Sequence, residues 1–375
     1  MKILLVASAS VSLPIAWKIS RSLAGLGHEI EFFVTRNAFQ MLMVSHNSPE
    51  KRICRKVEEM DEFPFKAGNV VFENEMHEYE SGGSVWHVDK AKECDAMLVA
   101  PASMDLIGKV VHGISGEPVL DLISVFLGTG KPAFFAPAMN TNMWRNPFVQ
   151  SNMAALERVL RPAGGIIRPD TKKLACGDYG VGALADARTI CDLIAGKRWL
   201  CPFPGFMKNH ESFAEYIPRW DEPGAFAALR KFDVHQGVDI YQPEGTVVHA
   251  VEDGVVVGKG QFTGAGVNCG WWNDTDYVAV EGDSGIVVYG EIKVSGGLDI
   301  ESKVKAGDVV GMVMTVCKED PKQPVRNHLN SMLHLELYRG IEHSIDIEWG
   351  RNGGGYGERP IGLMDPTPYL MFSTP

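Results

Sequence analysis

Short, almost wholly apolar runs alternate through the first half of the chain with longer stretches of helical periodicity. Ile3-Leu4-Leu5-Val6, Ile30–Val34, Ala96–Ala100 and Ala133–Ala136 are the runs. After them come helical stretches: Ile15 to Leu26 ending at Gly27, one from near Asn37, one through Val111 and one around Phe148–Val159. Apolar strands separated by helices predict a parallel sheet covered on both faces. Such an open α/β sheet binds ligands at the carboxyl ends of its strands, and each run here is followed by a small-residue or polar loop. Residues 44–86, charged over 50–62 and carrying Gly82-Gly83, read as an excursion from that core.

The pattern changes near 196–222, where Pro202, Pro204 and Pro218 with interleaved aromatics mark a linker or wrap-around segment. Beyond it the apolar runs shorten and Gly and Asp punctuate them. Thr246–Val251, Gly254–Gly258, Tyr277–Val280, Ile286–Tyr289, Val309–Val313 and Leu333–Leu337 predict strands with no helical stretch between them. The expected organisation is an α/β domain over 1–195, a linker over 196–222 and an antiparallel all-β domain over 223–375. Asn352-Gly-Gly-Gly reads as a loop.

A length of 375 residues fits two or three domains of about 150 each. The chain has 36 Lys and Arg against 47 Asp and Glu, a net charge of −11, which argues against non-specific binding to nucleic acid or anionic membranes. Its 45% hydrophobic content is that of a core-forming chain, and no run approaches the ~20 apolar residues of a membrane span. The opening Met1-Lys2 and Ile3–Ala16 imitate a secretory leader, but the strand-turn-helix reading accounts for them better. Cysteines 54, 94, 176, 191, 201, 269 and 317 are odd in number and scattered, as expected of reduced thiols in a cytoplasmic protein.

Three motifs fall where strands should end: Pro101-Ala-Ser-Met-Asp105, Pro137-Ala-Met-Asn140-Thr-Asn-Met-Trp144 and Ala175-Cys-Gly-Asp178 in a Gly-rich loop. His87 opens a helix leading into the first of them. In this order they resemble the homo-oligomeric flavin-containing cysteine decarboxylases, which act on phosphopantothenoylcysteine or on the C-terminal cysteine of peptides. The likeness covers about residues 1–190. It implies a flavodoxin-like sheet, a trimer or dodecamer, and FMN lying between protomers.

The chemistry explains the residue types. A carboxylate beside a carbon bearing CH2SH has no sink for the electrons that departing CO2 leaves behind. Oxidising the thiol to a thioaldehyde creates one, and a flavin takes the hydride. By resemblance His87 is the acid/base residue, Asn140 orients the substrate carboxyl and Cys176 closes over the substrate, with Met143, Ala175, Gly177 and Asp178 around it. The FMN phosphate would sit at the first helix start, beside Ser8 and Ser10. Thr35 and Ser103 match further flavin contacts, and Met104 and Met139 would line the ring. His112 reads as structural. Two positions depart from the family pattern: Asp105 replaces an Asn, and Ala183 replaces an Arg.

In the second domain, His235-Gln-Gly-Val-Asp239, Lys305–Gly311, Leu333-His334-Leu and Asp365–Leu370 resemble the lysostaphin-like zinc endopeptidases. His235, Asp239 and His334 match the zinc ligands, and two histidines with one carboxylate leave the fourth position of Zn2+ open. The family's remaining two histidines are replaced, by Met332 and Glu291. Poor hydrolysis follows, unless Glu291 serves as base. His249, His328 and His343 read as strand or loop residues. The leading expectation is FMN-dependent decarboxylation of a cysteinyl carboxylate, with the second domain binding peptide or assisting assembly. The alternatives are a bifunctional zinc peptidase and decarboxylase, or a non-catalytic flavin-binding regulatory protein.

Overall fold

A computed structural model describes residues 1–47, 70–73, 85–161, 163–207, 213–230, 234–267, 270–318, 330–340 and 360–375. Most of the 44–86 excursion, His328, His343 and the Asn352 loop lie outside them. The chain divides into two compact units, Met1–Lys197 and Arg198–Pro375. Among the described residues no helix is long and apolar enough to cross a membrane.

In the first unit the strands are β1 (Lys2–Ala7), β2 (Glu29–Val34), β3 (Val70–Phe72), β4 (Ala96–Ala102), β5 (Ala133–Pro137) and β6 (Gly165–Ile166). They form one flavodoxin-like parallel sheet in the order β3-β2-β1-β4-β5-β6. The chain winds outward one way from β1 through β3, then returns and winds the other way from β4. The switch point therefore lies between β1 and β4, where a doubly wound sheet opens a crevice at its carboxyl edge. Ile3 to Val6 and Met97 to Ala100 are completely buried, as all-apolar central strands require. Amphipathic helices cover the sheet. Leu13–Gly25, for example, buries Leu13, Ala16, Ile19 and Leu23 on one face.

A separate hairpin, β7 (Asp170–Lys173) and β8 (Tyr179–Ala183), carries the Ala175–Asp178 motif at its tip. Leu174 N–H donates to the Asp178 carbonyl at 2.7 Å and Gly177, at φ +94°, makes the turn. β8 packs so closely on the Pro137–Trp144 loop that a Cβ on Gly182 would come within 2.3 Å of the Met139 carbonyl oxygen. A Cβ on Gly180 would strike the Thr141 side chain at 2.5 Å. The Gly-x-Gly of this motif is thus a docking surface for the loop bearing Asn140.

The second unit is an antiparallel sheet in the order β10-β15-β16-β13-β12-β11-β14, with β9 and β17 also paired to β16. Its strands are β9 (Val238–Tyr241), β10 (Val247–His249), β11 (Gly254–Thr263), β12 (Thr275–Gly282), β13 (Gly285–Val294), β14 (Lys303–Val304), β15 (Val309–Thr315), β16 (Ser331–Tyr338) and β17 (Leu363–Met364). β16 is buried along its whole length, as its central place demands. The proline-rich segment packs within this unit. Trp199 stacks on Tyr369 at 4.8 Å, and Leu200 pairs with Thr374.

Candidate functional site

The loops following β1, β4 and β5 meet at the switch point. Ser8 is 2% exposed, and its hydroxyl donates to the Pro101 carbonyl at 2.8 Å while accepting from Ser103 N–H at 2.7 Å. Its own N–H also goes to Pro101 O. Both donors of Ser8 are used within the protein, and the residue clamps β1 to β4. Ser10 accepts from Ser12 N–H at 3.2 Å. The helix beginning at Leu13 has no side-chain cap and no acid in its first turn, so its positive end fits an anion such as the FMN phosphate. Thr35 follows β2, and its Oγ1 accepts weakly from Ala38 N–H at 3.4 Å.

Ser103 caps the helix Met104–Val111 through Leu106 N–H at 3.3 Å. Asp105, in the first turn of that helix, pairs with Lys109 at 3.0 Å, and Lys109 also holds Glu117 at 2.8 Å. The unusual carboxylate is therefore partly neutralised. Met104 and Met139 are half-buried at the loop ends, and Met143 is exposed. His112 bonds back to the Gly108 carbonyl at 2.8 Å at its helix end, a structural use.

Asn140 caps the helix Thr141–Arg145, accepting from Asn142 N–H at 2.8 Å. Its amide then donates outward, to Cys176 Sγ at 3.2 Å and Asp178 Oδ2 at 3.4 Å. Cys176 Sγ–H in turn donates to Asp178 at 3.4 Å. Residues 36 and 38 positions apart in sequence so form one exposed polar cluster at the hairpin tip. Cys176 is exposed whereas burial pushes Cys94 to about 11, Cys191 to about 12 and Cys201 to about 11, so those three stay protonated. Among the described residues, His87 makes no hydrogen bond to that cluster. It is half-buried on the helix Trp86–Glu93, edge-on to Trp86, which stacks on Phe33 of β2.

Sequence reasoning missed Glu73. This carboxylate is 1% exposed and accepts from Arg36 N–H at 2.6 Å and Val119 N–H at 3.3 Å, capping two helices at once. A lone acid after a three-residue strand gives no local signal of that role.

In the second unit His235, Asp239 and His334 converge, their ligand atoms all within 4.8 Å of one another and each residue buried. Asp239 on β9 lies directly opposite His334 on β16. Asp239 Oδ1 is 3.0 Å from His235 Nε2 and 2.8 Å from His334 Nδ1, and the two ring nitrogens are 3.1 Å apart. Tetrahedral zinc with bonds of about 2.0–2.1 Å separates its ligand atoms by about 3.3 Å, so the donor set fits after spreading by a few tenths of an ångström. Each ligand also has an outer support. His235 Nδ1 meets the Ala225 carbonyl at 2.8 Å, His334 Nε2 meets Glu336 at 2.9 Å, and Arg230 holds Asp239 Oδ2 at 2.7 Å. Such outer partners orient metal-binding rings.

Without a metal the same atoms form an ion pair. Burial opposes charge on His334, but hydrogen bonds to Asp239 and Glu336 outweigh it and hold the ring at about 10. Burial also opposes charge on Asp239, yet His235 and His334 hold it well below the ordinary carboxylate range. Burial pushes His235 down. Glu291 is 6% exposed with one carboxylate oxygen unpartnered among the described residues; burial and then the Asp239 charge push it up to about 8.

Comparison with known proteins agrees with both halves. Residues 1–199 match the Flavoprotein family, and residues 233–346 match Peptidase family M23. A protein described as a probable phosphopantothenoylcysteine decarboxylase of Streptococcus mutans is 34% identical over 193 residues, 52% of this chain and 96% of that protein. A phosphopantothenoylcysteine decarboxylase of Glycine max is 39% identical over 109 residues, 29% of this chain and 50% of that protein. A solved PPC decarboxylase variant complexed with pantothenoylaminoethenethiol is 26% identical with a TM-score of 0.41, over 52% of this chain and 96% of that one. The chain belongs to the Flavoprotein family, and its second unit carries a domain of the M23 peptidase type.

Proposed function

We propose that the first unit is an FMN-dependent decarboxylase of a cysteinyl carboxylate, either phosphopantothenoylcysteine or a peptide ending in cysteine. The observation that carries this reading is the meeting of Asn140, Cys176 and Asp178 at the carboxyl edge of the sheet. Bound FMN supplies the hydride acceptor that turns the substrate thiol into an electron sink. Ser10 and the open helix end at Leu13 hold the phosphate, Thr35 and Ser103 border the cofactor, and Met104 and Met139 line the ring. Asn140 turns its amide hydrogens from Cys176 and Asp178 to the substrate carboxylate. Cys176, on the projecting hairpin with Ala175, Gly177 and Asp178, covers the substrate and delivers a proton from Sγ. His87 moves the other proton.

His87 and the hairpin approach the substrate across an interface between copies of the chain, in a trimer or dodecamer. Exposed Met143 and Phe148, 41% and 81% accessible, give that interface apolar surface beside the site. The free thiols of Cys94, Cys176, Cys191 and Cys201 suit a reducing cytoplasm. In the second unit His235, Asp239 and His334 would hold Zn2+, which would supply Lewis acidity and link β9 to β16. Met332 and Glu291 stand where hydrolysis needs histidines, so this unit recruits peptide or supports assembly. Purified protein should show flavin absorbance near ~450 nm and release FMN on denaturation. A colourless protein that also takes up no added FMN defeats the proposal.

A further inference from the structure

We infer that Glu291 belongs to the metal centre of the second unit as an outer carboxylate, balancing the charge of a divalent cation without being one of its three ligands. This rests on reading His235, Asp239 and His334 as the ligands. Four observations lead to it.

Glu291 is 6% exposed, and its Oε2 finds no partner among the described residues. A buried carboxylate oxygen left in that state costs more than most single contacts return. Its backbone is also held at φ +62°, a left-handed conformation that is strained for a residue other than glycine. Strain and an orphaned acid at one position mark a residue kept for something other than stability.

Its place identifies the use. The preceding Gly290 sits directly opposite His334 in the β13–β16 ladder. Gly290 has no side chain because a Cβ there would lie 2.6 Å from the Phe262 ring, which itself stands 5.3 Å from the His334 ring. Glu291 thus leaves the strand next to the centre, yet it is not in the group whose ligand atoms lie within 4.8 Å of one another. An outer position accounts for both facts.

Charge supplies the fourth observation. Two ligating imidazoles are neutral, and the single ligand carboxylate, Asp239, already faces Arg230 at 2.7 Å. A divalent cation in this buried pocket would keep nearly all its charge. Glu336, fully buried behind His334, offsets one unit, and Glu291 is the remaining acid that offsets the second. The borderline nitrogen and oxygen donor set points to Zn2+ or Co2+ in preference to Ca2+ or Mg2+.

The test uses the whole chain, stripped of metal and titrated with Zn2+ and Co2+ against a coloured competing chelator. Glu291→Gln keeps the shape and removes the charge, so it should weaken binding about 10–100-fold. Glu291→Asp should recover most of that loss. Metal-free Glu291→Gln should unfold at the same temperature as the parent or higher, because an unpaired buried acid has been removed. Unchanged zinc affinity in Glu291→Gln overturns the inference, as does a loss of affinity accompanied by a lower metal-free unfolding temperature. A parent protein that binds neither ion overturns it together with the reading of the three ligands. The two failures are distinguishable because only the second appears in the parent.

Discussion

Asn140→Asp should cut carbon dioxide release by on the order of 10²–10³-fold while leaving the fold and the bound flavin in place. The substitution separates the two uses of this side chain. Asp is as good a helix cap as Asn, so the acceptor for Asn142 N–H is kept. The Nδ2 donor is lost, and an oxygen takes its place 3.4 Å from Asp178 and 3.2 Å from Cys176. An incoming carboxylate would then meet two acids where it had met an amide. Turnover measured as released carbon dioxide, beside flavin absorbance and circular dichroism, checks this. A variant with parental turnover would show that Asn140 serves only as a cap.

His334→Ala should empty the second unit of zinc and destabilise its metal-free form by about 3–5 kcal/mol. The ring joins two buried carboxylates, Asp239 at 2.8 Å and Glu336 at 2.9 Å. Asp239 would retain Arg230 and His235, but Glu336, with no solvent exposure, would lose its imidazole partner. Breaking a buried pair from one side costs far more than losing a surface pair, because the remaining charge stays out of water. Metal analysis and denaturant unfolding followed by tryptophan fluorescence provide the readouts. Unchanged zinc content in this variant would mean that His334 is not a ligand.

The alternation of apolar strands with helices made the first unit legible, because fully buried parallel strands need unbroken apolar runs. Elements without that signature were not. β3 and β6 are too short to announce themselves, and β7 reads Asp170-Thr-Lys-Lys, with no apolar face. The segment bearing Cys176 was therefore expected as a Gly-rich loop, whereas it is the tip of a hairpin whose glycines are set by contact with Met139 and Thr141. Tertiary contact chose those glycines.

The candidate sites divide the same way. Family resemblance singled out Asn140 and Cys176 as candidates, but their direct hydrogen bond is a property of the folded loops. A hydroxyl at a strand end suits a phosphate and a backbone clamp equally well, and the contacts of Ser8 with Pro101 and Ser103 exist only in the folded chain. In the second unit the spacing of His235 and Asp239 was visible, while the outer partners of the three ligands, Ala225, Arg230 and Glu336, come from two separate segments.

The most direct measurement is mass spectrometry of phosphopantothenoylcysteine and of a cysteine-terminated peptide after incubation with the flavin-loaded protein. The account predicts that one of them loses the mass of carbon dioxide, and that His87→Asn protein leaves both intact. Recovery of both compounds unchanged from the flavin-loaded parent would contradict it.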